Sequence, residues 1–203
     1  AKGGWMETRY DPSVTLREAR ALLFASTGIS EASYEQPFTR LRLGALLVPV
    51  PNVLGLARAT VMHDLHRVVT EFGSGPAGEG ALATWELSSG STRNWLLKLS
   101  NLSSLLTGLL YDPRGMYQAC AQGLNSRSLD ALNLSAGLSQ LLDQRVAQLR
   151  LSLQSTASPA SAAEVRAMFV GLCVAAVMWN LLTLAVVLGP LVLGMLRFAT
   201  PLL

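Results

Sequence analysis

Ala167-Met168-Phe169-Val170-Gly171-Leu172-Cys173-Val174-Ala175-Ala176-Val177-Met178-Trp179-Asn180-Leu181-Leu182-Thr183-Leu184-Ala185-Val186-Val187-Leu188 contains no Asp, Glu, Lys or Arg. About 20 apolar residues in a helix rise roughly 30 Å, the depth of a hydrocarbon core, so the stretch reads as a transmembrane helix. Its start is written just upstream: Ser161 and Glu164 have capping-box spacing, behind a polar, proline-interrupted linker over 155–161. Gly189-Pro190 is expected to kink or end the span. Residues 191–203 then form an extended continuation or a second membrane-dipping piece around Arg197.

Two features of this helix bear on partners. Gly171, Ala175, Met178, Leu182, Ala185 and Gly189 alternate at four and three, the spacing of a helix-packing seam whose small residues admit a neighbouring backbone. Asn180 falls on roughly the opposite side, where an amide in hydrocarbon is expected to make an intramembrane polar contact. Together they point to other membrane subunits packed around 162–203. The alternative is a self-contained anchor, with Asn180 bonded back to its own helix and the small residues facing lipid.

Outward from the anchor the chain is mainly α, a helical non-membrane region followed by the C-terminal transmembrane helix. Thr15 and Glu18 make another capping box, Leu16, Ala19, Leu22 and Leu23 follow at helical spacing, and Gly28 is a natural stop. Leu41 to Leu56 is apolar but holds Pro49 and Pro51, so it is expected to be a buried or interfacial loop, or else re-entrant in the membrane. Val61, Leu65, Val68, Val69 and Phe72 predict a helix over 57–72, ended by Gly73. The glycine-rich 73–80 reads as a hinge between an N-terminal region, 1–72, and a second helical region, 81–154.

A Leu-rich helix is expected over 94–110, and Asp112 should cap a short helix that begins at Pro113 and closes at Gly123. From Ser128 to Gln154, the residues Leu129, Leu132, Leu138, Leu141, Leu142, Val146, Leu149 and Leu153 form a stripe that predicts one long amphipathic helix. It must pack on its own domain, a partner helix or a membrane surface.

Of the 203 residues 50% are apolar and only 14% charged, which suggests contact with lipid or a large partner. The net charge of +3 is spread thinly, with no Lys/Arg run to track a phosphate backbone, so no nucleic-acid partner is expected. Cys120 and Cys173 are assigned to different compartments and read as free thiols. Asn101 and Asn133 open formal glycosylation sequons inside helical patterns, where chance matches are favoured. The chain opens at Ala1 without Met, as a processed organellar import signal would leave it, or because the sequence simply starts there.

Two patterns could carry chemistry. Gly73, Gly75 and Gly78 spell the phosphate-binding turn of a dinucleotide fold, yet Pro76 interrupts it and no acidic residue follows at the ribose-binding distance. His63 and His66 lie one helical turn apart and could offer two imidazoles to a metal, with Asp64 or Glu71 as added ligands. Ordinary surface or interface histidines are favoured. No cofactor is expected, although a bound lipid fits the composition. The function expected is a non-catalytic, membrane-anchored accessory subunit of an organellar complex, such as a respiratory complex or ATP synthase of the mitochondrial inner membrane. The alternatives are a membrane-tethered enzyme using the glycine loop with a nucleotide, and a viral or cell-surface glycoprotein.

Overall fold

The computed structural model describes residues 10–28, 30–43, 46–52, 55–129, 137–155 and 158–199, with side chains as far as Pro190. Asn133, Leu132 and the N-terminal Ala1 lie outside the described residues, as does the side chain of Arg197. The expected class holds: the chain is mostly helical and ends in one long apolar helix, long and apolar enough to span a membrane.

Helix α1 (Leu16–Thr27) starts on the Thr15–Glu18 capping box and stops at Gly28, whose left-handed backbone (φ 72°) closes the last turn. Helix α2 (Leu56–Thr70) ends at Glu71 rather than at Gly73. Glu71 adopts φ 60°, a costly backbone for a residue with a side chain. Arg150 compensates, pairing with the Glu71 carboxylate at 2.8 Å and donating through Nε to the Val69 carbonyl at 3.1 Å. A side chain from 80 residues onward thus satisfies the open end of α2.

The apolar, proline-bearing stretch is not a loop but a β-hairpin, β1 (Phe38–Leu43) against β2 (Leu46–Pro51). Pro49 and Pro51 face Arg40 and Phe38, while Leu43 pairs with Leu46 at the turn. Alternation from that closing pair puts both prolines where no amide is directed at the partner strand, so the ladder tolerates them. Inside the hairpin, Leu41 and Val50 pack with Leu56 and Leu96.

Nor is 73–80 a hinge. Pro76 is the first residue of α3 (Pro76–Ser89), a helix buried almost all round, with Gly78, Gly80, Ala81, Leu82 and Trp85 inside the protein. Its glycines serve close approach. A Cβ on Gly80 would lie 2.5 Å from Gly108 Cα in α4 (Trp95–Tyr111), and one on Gly123 in α5 (Pro113–Leu124) would lie 2.6 Å from the Trp85 carbonyl oxygen. Gly123 is therefore a packing residue rather than the end of α5. Gly80→Ala is accordingly expected to destabilise the protein by about 1–3 kcal/mol, reversing the gain of about 1 kcal/mol that helix propensity alone gives. Urea unfolding of the detergent-solubilised chain measures this, with Gly171→Ala, which meets open space, as the control that shows no loss.

Asp112 caps α5 as expected, and Asn94 caps α4, its side chain accepting from the amides of Leu96 and Leu97. The long amphipathic helix over 128–154 is corrected: its described part is two short helices, α6 (Leu138–Leu142) and α7 (Val146–Leu153). The chain breaks at 143–145 because that backbone is spent on the N-terminal segment. The Leu16 amide donates to the Gln144 carbonyl (2.9 Å), the Val146 amide to that of Val14 (3.0 Å), and Arg17 pairs with Asp143 (2.8 Å). The stripe residues Leu129, Leu141, Val146 and Leu149 are fully buried in the same core as Leu65, Leu82, Trp85, Leu105 and Met116. The chain's own domain therefore covers the face that would otherwise need a partner helix or a membrane.

Candidate functional site

Helix α2 presents His63, Asp64, His66 and Arg67; His63, His66 and Arg67 meet the carboxylates of α3, whereas Asp64 accepts from the Tyr34 hydroxyl. From α3 come Glu79 and Glu86, two turns apart. Glu86 is 1% exposed and accepts from four side chains: His66 Nδ1 (2.7 Å), His63 Nδ1 (3.0 Å), Asn101 Nδ2 (2.8 Å) and Thr92 Oγ1 (3.3 Å). A carboxylate so surrounded stays charged at little cost. Burial alone would raise the Glu86 pKa, but His63 and His66 outweigh it and hold it well below the carboxylate range. Burial likewise opposes a charge on His63, yet Glu86 and Glu79 prevail and hold its pKa up at about 10. Asp64 is pushed up by burial, with His63 and its Tyr34 hydroxyl donor (2.5 Å) acting against that rise.

Arg67 finishes the cluster, pairing with Glu79 and donating to the Gly73 carbonyl at 3.1 Å. The glycine turn is therefore clamped from inside by a cation. It joins two helices, α2 and α3, with no strand before it, so Gly73, Gly75 and Gly78 lack the strand-to-helix setting of a dinucleotide site. Gly75 is the N-cap of α3 and Gly78 packs on the Gly73 backbone.

His63 and His66 do come together, but on a carboxylate that the sequence reading missed; neither Asp64 nor Glu71 joins them. Among the described residues there is no group of three or more His, Cys, Asp or Glu placed to hold a metal ion. One signal could have found Glu86: it stands alone among Ala81-Leu82-Ala83-Thr84-Trp85 and Leu87, where an isolated charge must be exposed or paired. Asn101 is 2% exposed and bonded to Glu86, so a glycan on it is incompatible with this fold.

Two clefts flank the cluster. One, of about 320 Å³, is lined by Arg58, Met62, His66, Glu86 and Arg93. The other, of about 420 Å³, lies under β1 and reaches His63, Glu79 and Asn101.

The second candidate surface is the last helix, α8 (Ala162–Ala199), which begins on the expected Ser161–Glu164 capping box and continues through Pro190. Asn125 ties the preceding linker down, its carbonyl accepting from the Ser155 amide (3.0 Å) and its Oδ1 from the Ala160 amide (2.8 Å). One side of α8 lies on the domain. Val165 and Ala176 are buried, Phe169 meets Tyr117 edge to face at 5.4 Å, and Trp179 donates to Ser103 Oγ at 3.1 Å. Further along, Asn180, Thr183, Leu184 and Val187 enclose a cleft of about 200 Å³ with Leu43 and Leu46 of the hairpin. The docked length, 165 to 179, is about 21 Å at 1.5 Å per residue. The domain thus stands beside the apolar helix, not only ahead of it.

No family model, curated protein or solved structure matches the chain.

The seam residues lie on the opposite side. Gly171, Ala175, Met178, Leu182 and Ala185 are exposed, Gly189 is half-buried, and a Cβ on Gly171 or Gly189 would meet nothing within 4 Å. Asn180 bonds back within its own helix, its amide donating to the Ala176 carbonyl at 2.7 Å. On its side of the helix Asn180 lines the cleft shared with Leu43 and Leu46 of the hairpin. Asn180→Leu is expected to leave assembly with partners unchanged, measured as the amount of protein in the high-mass band of a native gel. Cys120 and Cys173, expected in different compartments, sit on the packed helices α5 and α8 as free thiols. Burial pushes the Cys120 thiol up to about 11, with Ser88 acting against this and Cys173 adding to it.

Proposed function

We propose that the chain is a non-catalytic, membrane-anchored accessory subunit of a multi-subunit complex. The observation that carries this reading is the two-sidedness of α8. One face is committed to the chain's own domain, and the opposite face is an uncharged strip of Val, Leu, Met, Gly and Ala left open from Met168 to Leu188. A free-standing anchor needs lipid on all sides and no domain along it. A helix with one face docked and small residues on the other is suited to bridging a domain and a further transmembrane helix. The side chains of His63, His66 and Asn101 are spent on Glu86, which supports a structural rather than a catalytic role for that cluster. An energy-converting complex of an organellar membrane, with the mitochondrial inner membrane first, is the setting we propose.

The test is native electrophoresis of membranes solubilised in mild detergent, followed by mass spectrometry of the band that holds this chain. Comigration with a fixed set of larger proteins supports the reading and names the complex. Migration as a small free species overturns it.

A further inference from the structure

The cleft beside His66 holds more positive charge than the fold uses. His66 is 1% exposed; its Nδ1 is bound to Glu86 while its Nε2 has no hydrogen-bond partner. An unpaired polar atom at that depth costs free energy unless something fills the position. Around the same cleft stand Arg58 and Arg93, both exposed, neither of which makes an ion pair or hydrogen bond among the described residues. Of the remaining lining groups, Asn94 spends its side-chain oxygen on the amides of Leu96 and Leu97, and Ser91 and Thr92 are turned toward Glu86. Glu86, the one carboxylate in the lining, is already matched by His63 and His66. Two guanidinium groups and one imidazole nitrogen are what remain for a ligand.

We propose that this cleft binds a phosphate group, carried by a small phosphomonoester or by the headgroup of an anionic lipid. Two guanidinium forks suit the several acceptor oxygens of a phosphate. The imidazole favours phosphate over a carboxylate. With Nδ1 engaged by Glu86, a neutral ring offers Nε2 as an acceptor and a charged ring offers it as a donor; phosphate, which near neutral pH exists with and without a P–OH, answers either state. An ionised carboxylate answers only the second. At about 320 Å³ the cleft has room for a phosphate and a few further atoms, at the lower end of small-molecule sites. The inference is independent of the subunit reading, because it concerns a cleft on the side of α2 and the start of α4 and not the free face of α8.

The experiment uses the full chain in two settings, with inorganic phosphate and phosphatidic acid as probes. Isothermal titration of phosphate into the chain in phosphatidylcholine nanodiscs is expected to show saturable binding. Arg58→Gln and Arg93→Gln, which break no contact in the fold and should unfold like the parent chain, are each expected to weaken it tenfold or more. In parallel, the chain is purified from nanodiscs containing phosphatidic acid and its retained lipid is weighed by mass spectrometry. Arginine-dependent phosphate binding supports a soluble phosphomonoester, and arginine-dependent retention of phosphatidic acid without phosphate binding supports a lipid headgroup. If neither probe binds, or binding is the same in both arginine variants, the assignment is overturned.

Discussion

Glu86→Ala is expected to cost the domain about 3–5 kcal/mol, the loss seen when one partner is removed from a buried, hydrogen-bonded charge pair. The carboxylate is 1% exposed and joins α2, α3 and α4 through His63, His66 and Asn101, so its removal takes the acceptor from these donors and from Thr92 and leaves the His63 imidazolium without its nearest counter-charge. Chemical unfolding of the solubilised chain, followed by tryptophan fluorescence since Trp85 lies 5.1 Å from the His66 ring, reports the change. A loss below about 1 kcal/mol would show that the cluster does not hold the helices together.

The same pair sets a pH window. Glu86 and Glu79 have depressed pKa values in the folded chain, so the stability they supply is present above the ordinary value of 4.5 and is lost as the pH falls through their folded values. His63 is raised, so its share is present in full below 6.5 and is lost as the pH climbs toward about 10. Asp64, also raised, runs against the acid limb and softens it. Stability should therefore peak between about pH 4.5 and 6.5 and decline on both sides. In Glu86→Gln the alkaline decline should flatten, because His63 has lost the carboxylate that most strongly held its proton.

What could be read in advance, and what could not, follows from the range of the forces involved. The caps at Thr15, Asp112 and Ser161 depend on residues three positions away, and each lies where local spacing puts it. The hairpin is hidden because proline breaks a helix from its place in the sequence alone, whereas its effect in a strand depends on which edge the missing amide faces. The stripe over 128–154 kept its periodicity but not its continuity, since Gln144 and Val146 spend their backbone groups on a segment 130 residues away. The glycines of 73–80 look flexible by composition, and only the presence of α4 and α5 shows Gly80 to be a contact point. The His63–His66 pair was visible as a pair. Its partner Glu86 was not, because nothing local links residues 63 and 86 until α2 and α3 are packed.

Replacing Gly171 and Ala185 together by Ile is expected to remove the chain from its complex while leaving its own fold and membrane insertion intact. Both residues are exposed on the side of α8 away from the domain, and a Cβ added at Gly171 meets nothing of this chain within 4 Å. The fold therefore has no reason to lose stability, and isoleucine keeps the helix apolar. A partner helix packed at 8–10 Å or closer does feel the change, because the backbone approach that small residues permit is blocked by two branched side chains. Native electrophoresis should show the high-mass band reduced at least tenfold, with unfolding and carbonate-resistant membrane retention as in the parent chain. Ala176→Ile provides the opposite pattern: that residue is fully buried between α8 and the domain, so overpacking there should destabilise the fold by about 1–3 kcal/mol. If the double substitution leaves complex recovery unchanged, the open face of α8 meets lipid alone, and the partner must be sought on another surface, starting with Trp95, Leu110 and Tyr111, which α4 leaves exposed.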